Sequence, residues 1–357
     1  MTERKERPVT LRYIADELGL HISTVSRVLN GRGDDRGRAA SSETATRIRQ
    51  RAAELGYQPD PHGSGLRTGR SGLVGVLIPR LSDLVLATIY EGIDEAAGRH
   101  GITTITANTL DDDTTRRLRT RLLLARRVDG LVFGDAHLDD AFLDELAADG
   151  VRFVLVNRRA GGHPSVTPDD VLGGRLAAEH LLDLGHTRVA VIAGEPFAST
   201  GTDRTAGFLG LCRERGVDVP PDAVVHSSFD TAGGRSAAER LLAGPRRPTA
   251  IFAVNDFAAI GALGAARDHG LQTGTDLAIM GYNDTPLAAE LPIPLTSVAV
   301  PMHEIGQRAM EMLAAMLQGR SVESVRLAPK LRPRASTSPI RSAVDPREAS
   351  GRRPERP

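Results

Sequence analysis

Residues 9–30 read VTLRYIADELGLHISTVSRVLN. The pattern predicts two short helices with a tight turn between them. Thr10 suits the N-cap, Leu11 to Leu18 carry the first helix, and Gly19 stands where a helix end takes a positive φ. A second helix runs from Ile22 to Leu29, with Asn30 as a permissive end. Two short helices joined through a Gly-containing turn form a helix-turn-helix. At about 100° per residue, Val25, Val28 and Leu29 share one face, with Ile22 at its edge. That face packs on Ile14, Ala15 and Leu18 of the first helix. Ser23 and Arg27 fall on the opposite face, with Ser26 and Asn30 beside them. Such a helix suits the major groove of duplex DNA, where arginine reads guanine through two bonds. Spacing alone suits a solvated helical hairpin equally well.

The wording of the stretch goes further. STVSRVLN resembles the recognition helix of the LacI-type (lactose-repressor) family, and TLRYIADELGL resembles its first helix. The resemblance implies that Ile22, Ser23 and Arg27 read bases, while Thr24, Ser26 and Asn30 hold phosphate or fix the helix. It adds Thr10, Leu11, His21 and Tyr57 to the expected DNA contacts. Two departures stand out. Tyr13 replaces the family's usual Asp, and His21 occupies an N-cap where Ser or Thr is usual and caps better.

Outward from this stretch, GRGDDRGRAAS (31–41) reads as a surface loop, longer than the family's link, whose Arg32, Arg36 and Arg38 are within reach of phosphate. A third helix follows over Ser42 to Leu55, ended by Gly56, with Ile48, Ala52 and Leu55 on its apolar face. LGYQPDPHGSGLRTGRSG then resembles the family's hinge, in which a short helix forms on DNA and inserts a Leu between base steps. Leu66 matches that wedge. Gly63, Ser64 and Gly65 depart from the family run, and each glycine costs about 1 kcal/mol of helix propensity. A plain linker is the alternative.

Composition sets outer limits. The chain has 357 residues and no net charge, so no global field attracts nucleic acid. Residues 1–70 hold 13 Lys and Arg against 9 Asp and Glu, a modest basic excess. Cys212 is the single cysteine, which excludes an intrachain disulfide and suits a reducing compartment. Neither a signal peptide nor a membrane-spanning apolar run is present, so a cytoplasmic location is expected. No nucleophile-elbow, zinc-protease, CxxC or P-loop motif occurs, and the ten His lack metal-ligand spacing. The sequence therefore predicts neither an enzyme nor a metal or other cofactor.

From Leu73 strands and helices alternate. LVGVLIP, ITTITAN, DGLVFGD and VRFVLVN read as strands, with helices over Ile89 to Ala97, Thr114 to Arg127 and Leu138 to Ala148 between them. After a break at GGHPSVTPDD the alternation resumes through RVAVIAG, AVVHSSF, TAIFAVN and LAIMGYN. Such runs predict parallel sheets covered on both faces, with ligands beyond the carboxyl ends of the strands. Ser82, Asp83, Asp135, Asn157 with Arg158, Phe229, Asn255 with Asp256, and Asn283 with Asp284 follow strands, and Arg204 opens a helix. Amides and carboxylates around a ring suit polyhydroxyl compounds or heterocycles. Taken one at a time, they suit helix caps, Asn255 especially.

HLLDLGHTRVAVIAG, DRTAGF, PTAIFAVND and GYNDTPLAAELPIPLTSV also resemble the LacI-type family. They imply a periplasmic-binding-protein-like core whose two lobes close on an effector. The resemblance places effector contacts at Arg204, Asn255, Phe229 and Asn283, with Asn157 and Ser82 to Leu86 near them. Ser82, Asp83 and Asp135 complete the candidate set. Asn157 and Asn283 replace the family's usual Asp, and SDLVL lacks the family's aromatic platform after the first strand.

The expected architecture is α/β: an all-α helix-turn-helix headpiece (1–60), a hinge (61–71), and a core of parallel sheets flanked by helices (72–337). Lobe 1 is expected over 72–160 and 300–320, lobe 2 over 165–296 and 324–337, and a disordered tail over 338–357. The expected function is DNA-binding transcriptional regulation, commonly repression, by a homodimer or tetramer on a near-palindromic operator, tuned by a sugar or related metabolite, with no membrane partner. A solute-binding protein or sensor without DNA-directed regulation is the alternative.

Overall fold

The computed structural model describes residues 9–30, 40–57 and 70–339. The loop 31–39, the wedge Leu66 with most of the hinge, the Asn30 side chain and the tail beyond 339 lie outside the described residues. The chain divides into two units at Gly72.

In the first unit, α1 (Leu11–Leu18), α2 (Ile22–Asn30) and α3 (Ser42–Glu54) share a small core of Ile14, Ala15, Val25, Val28, Ala45, Ile48 and Ala52. Thr10 caps α1 by accepting from Tyr13 N–H at 3.2 Å, and Gly19 ends it at φ 65°. Ser41 caps α3 in the same way, through Thr44 N–H. Arg51 of α3 grips Glu17 of α1 with two bonds, 2.7 and 2.9 Å. Tyr13 donates to the same carboxylate, which gives this departure from the family pattern a local role on the α1 surface.

The second unit begins with β1 (Leu73–Ile78), α4 (Leu84–Arg99), β2 (Thr103–Asn108), α5 (Asp113–Ala125), β3 (Gly130–Phe133), α6 (Ala141–Ala148), β4 (Phe153–Val156) and β5 (Ser165–Pro168). It continues with α7 (Asp170–Asp183), β6 (Val189–Ala193), α8 (Ser199–Glu214), β7 (Val224–His226), α9 (Thr231–Ala243), β8 (Ala250–Ala253), α10 (Asp256–Asp268), β9 (Ala278–Asn283), α11 (Pro286–Glu290) and β10 (Thr296–Ala299). Last come α12 (Met302–Leu317), β11 (Val325–Leu327) and β12 (Lys330–Arg332). Among the described residues these strands form two six-stranded sheets, ordered β11-β5-β4-β3-β1-β2 and β12-β10-β9-β8-β6-β7. All neighbours are parallel except β10 and β12. The central strands are apolar throughout because helices cover both faces.

The two sheets exchange chain three times. β5 pairs with β4, and β11 with β5, so residues 165–168 and 325–327 belong to lobe 1, not to lobe 2 where the sequence suggested them. These strands are short and sit beside the break in the alternation, which hid their allegiance. The crossovers therefore run from β5 to α7, from β10 to α12 and from β11 to β12. Pro168, Pro301 and Pro329 lie on them, one each. Asp169 N–H donates to Leu327 C=O at 2.9 Å and joins the first crossover to the third.

Two helix starts also differ from expectation. α4 begins five residues before Ile89 because Asp83 caps it, accepting from Val85 N–H at 2.9 Å. α6 begins at Ala141 instead of Leu138, after Asp140 at its N-cap, and the Leu138 N–H donates to Phe197 C=O in the other lobe.

Candidate functional site

On α2, Val25 and Val28 are buried against the headpiece core, while Arg27 and Ile22 are exposed. Ser23, Thr24 and Ser26 are half-buried between these faces. Arg27 folds back on its own helix, its Nε donating to Ser23 C=O at 3.2 Å. His21 does act as a cap. Its Nδ1 accepts from Ser23 N–H at 3.3 Å and lies 2.7 Å from Ser23 Oγ. With Nδ1 accepting, Nε2 is the donor of the neutral ring, and the residue is exposed. Leu11 and Tyr57 are half-buried against the headpiece core, and Thr10 is exposed at the cap.

In the second unit a cleft of about 470 Å³ opens between the lobes, within the range of small-molecule sites. Seven of the eight residues anticipated from the sequence line it: Ser82, Asp83, Asn157, Arg204, Phe229, Asn255 and Asn283. Asp135 does not. It is buried beside the cleft wall and accepts from Thr109 Oγ1 at 2.5 Å. Burial raises its carboxyl above the usual range, against the Thr109 hydrogen bond and the charges of Arg116 and Arg158. Strand-end placement alone could not show that the neighbouring strand end covers it.

Asn157 and Asn283 close β4 and β9, one in each lobe, with φ 65° and 102°. Asparagine tolerates such backbone better than most residues. The Oδ1 of each is buried with no hydrogen-bond partner. Asn255, by contrast, is committed within the protein. It caps α10 through Ala258 N–H and donates to Phe229 C=O, both at 2.8 Å. Its cap role is thus real, and the same bonds hold the Phe229 loop at the cleft.

Arg204 is only 2 % exposed, yet it reaches the cleft wall. Its Nε donates to Asp170 at 2.7 Å and its Nη1 to Val254 C=O at 2.8 Å, and its Cζ lies 3.8 Å from the Tyr282 ring centre. Burial works against its charge, but Asp170 and Tyr282 together more than compensate and its pKa is raised. Asp83 faces the cleft with its carboxyl raised, chiefly by burial and against the bond from Val85.

Several cleft residues lay outside the candidate set. Arg158 reaches Asp111 with two bonds, 2.7 and 2.9 Å, and stands 5.7 Å from the ring centres of both Phe197 and Phe229. Phe197 and Phe257 join Phe229 in the lining. The aromatic surface missing from SDLVL is thus supplied by lobe 2. The signal was present, since Phe197 follows β6 and Phe257 opens α10. Among the described residues no group of three His, Cys, Asp or Glu is placed to hold a metal ion, and no helix is long and apolar enough to cross a membrane.

A helix-turn-helix unit on a two-lobed, parallel-sheet binding core defines a class of proteins that regulate genes in response to small molecules. A model of the periplasmic binding protein-like domain matches residues 178–337. The chain is 31% identical over 338 residues to the HTH-type transcriptional regulator DegA of Bacillus subtilis (strain 168), covering 93% of this chain and 98% of DegA. It superposes on the Lac repressor dimer bound to operator and the anti-inducer ONPF with a TM-score of 0.83, 28% identity, and coverage of 93% of this chain and all of that one. The CelR–cellobiose complex gives a TM-score of 0.70 at 28% identity, covering 92% and 100%. The chain belongs to the LacI family of transcriptional regulators.

Proposed function

We propose that this regulator binds a near-palindromic operator as a homodimer through α2, and that a neutral polyhydroxyl metabolite of the sugar class, held between the lobes, sets its affinity for DNA. The observation that carries the ligand class is the pair of buried, unpartnered amide oxygens on Asn157 and Asn283, one per lobe. A molecule with O–H donors at both ends satisfies both at once, and only when the lobes are closed. Arg80 and Glu195 of the cleft have no ion pair among the described residues, but its two buried guanidinium groups already have partners, Arg158 holding Asp111 and Arg204 holding Asp170, and Asp230 caps α9. That pairing disfavours a charged ligand, because a new ion would compete with bonds already made. Phe197, Phe229 and Phe257 offer the apolar faces on which a sugar ring stacks.

At the DNA, Arg27 leaves Ser23 and extends to a base edge, with Ser23 and Ile22 beside it. The proton on His21 Nε2, with Thr24, Ser26, Asn30 and Thr10, serves the phosphates. Leu11 and Tyr57 support α2 from behind. Closure of the lobes changes operator affinity by the 1–3 kcal/mol typical of such coupling, roughly 5–150-fold. A regulator of this kind acts in the cytoplasm and carries out no catalytic step.

The test is a thermal-shift screen of sugars, nucleosides and small acids, with retention on the promoter DNA beside its own gene scored in parallel. Stabilisation by a sugar together with altered retention supports the proposal. Stabilisation by acids alone removes the neutral-ligand assignment, and an absence of retention removes the regulatory one.

A further inference from the structure

Arg204 and its neighbour Asp203 face two different partners. Asp203 takes two bonds from Arg159, at 2.9 and 2.7 Å, and Arg159 follows β4 of lobe 1. Arg204 takes Asp170, the first residue of α7. Arg159 N–H also donates to Ser199 Oγ at the start of α8. One turn of α8 thus grips lobe 1 on one side and the first crossover on the other. Asp170 follows Pro168 and Asp169, and Asp169 is bonded to the third crossover through Leu327. Arg159, Asp169, Asp170, Asp203 and Arg326 line one narrow crevice there.

Helix packing brings Asp170 to this place. α7 crosses α8 with backbone against backbone. A Cβ on Gly174 would collide with the Arg204 carbonyl oxygen, and one on Gly207 with that of Val171. Only glycine lets α7 sit close enough for a side chain as short as aspartate to reach the Arg204 guanidinium. The α7 N-terminus also favours a negative charge.

We propose that Asp170 is a positioning residue joining the cleft to the crossovers between the lobes, holding Arg204 in the cleft wall and anchoring the first crossover, so that lobe closure requires its negative charge. This deepens the assignment of the cleft as the effector site. Loss of that charge frees Arg204 from the carboxylate it is paired with among the described residues and loosens the anchor of the first crossover, while the backbone packing of α7 on α8 remains. The groups facing Asp170 are Arg204 and Asp203 from α8, Tyr282 from β9, Arg159 after β4, Arg326 from β11 and its neighbour Asp169. Burial, opposed by Arg204, brings its carboxyl up to about 6, so that mild acid removes the charge.

The experiment needs no ligand, so its failure is separable from failure of the effector assignment. Spin labels on Arg119→Cys of α5 and Arg240→Cys of α9 report the distance between lobes in the full-length protein, diluted with unlabelled chain. Native Cys212 stays silent, since it is buried and its thiol is pushed up to about 11. The wild type should give a narrow distance distribution at pH 7.5 that broadens with a midpoint near 6. Asp170→Asn should be broad at every pH, and Asp170→Glu should restore a narrow distribution at pH 7.5. A narrow distribution for Asp170→Asn overturns the proposal. If Asp170→Asn fails to fold, Asp170→Ser takes its place, and a narrow distribution there overturns the proposal in the same way.

Discussion

Asn157 and Asn283 occupy matching places in the two lobes. Each ends a central parallel strand, each has a left-handed backbone, and each leaves a buried amide oxygen without a partner. An unsatisfied buried acceptor costs about 1–3 kcal/mol. Both residues line one cleft, and a ligand that draws these oxygens into contact relieves that cost. Asn157→Ala and Asn283→Ala should each weaken the ligand found by the thermal screen by about tenfold or more, equivalent to ~1.4 kcal/mol. Asn157→Asp should retain binding, because a carboxylate offers the same acceptor. Calorimetric titration measures all three, and equal affinity of wild type and both alanine variants would remove the pair from the site.

Arg27→Ala should lower operator affinity by about 1–3 kcal/mol and relax specificity at one base pair. Fluorescence titration against the operator and its single-base variants checks this. An unchanged preference at every position would mean that another face of the headpiece reads the sequence.

Gly174→Ala should destabilise the core by about 3 kcal/mol, at the upper end of overpacking costs, because the added methyl meets the Arg204 backbone and not a flexible chain end. Gly98→Ala, on a helix surface with open space around it, should leave stability unchanged or raise it slightly. Urea midpoints compare the two, and similar midpoints would mean that α7 and α8 can part at little cost.

Asp170 and Asp256 are both raised to about 6, in each case chiefly by burial. A raised carboxyl means that the folded state holds protons which the unfolded state has released. Their contribution to stability is therefore full below about pH 4, falls as pH rises to about 6 and is constant above it. The core should gain stability between pH 6 and 4.5 from these two groups, about 1.5 kcal/mol each. Asp170→Asn should remove about half of that slope. Urea unfolding at several pH values measures it, and identical slopes for wild type and variant would show that Asp170 ionises normally.

Much of this was legible in the sequence, for identifiable reasons. Helix α2 announced both its faces through the spacing of Val25, Val28, Ser23 and Arg27. Parallel strands are continuous apolar runs, so the residues closing them could be named. Long-range burial could not. Asp135 and Asp83 follow strands in the same manner, yet one is buried beside the wall and the other faces the cleft. The lobe allegiance of β5 and β11 was hidden because three-residue and four-residue strands carry too little pattern. Arg158 was visible as a neighbour of Asn157, but its pairing with Asp111 joins residues far apart in sequence. The cap at His21 was underrated, since an imidazole nitrogen can accept where a hydroxyl usually does.

Each of the three strands of chain that pass between the lobes carries one proline, and a pyrrolidine ring holds φ near −65°. Three stiffened straps narrow the range of turns open to the lobes. The crossovers then act as guides for any swing of one lobe against the other, and not as slack tethers.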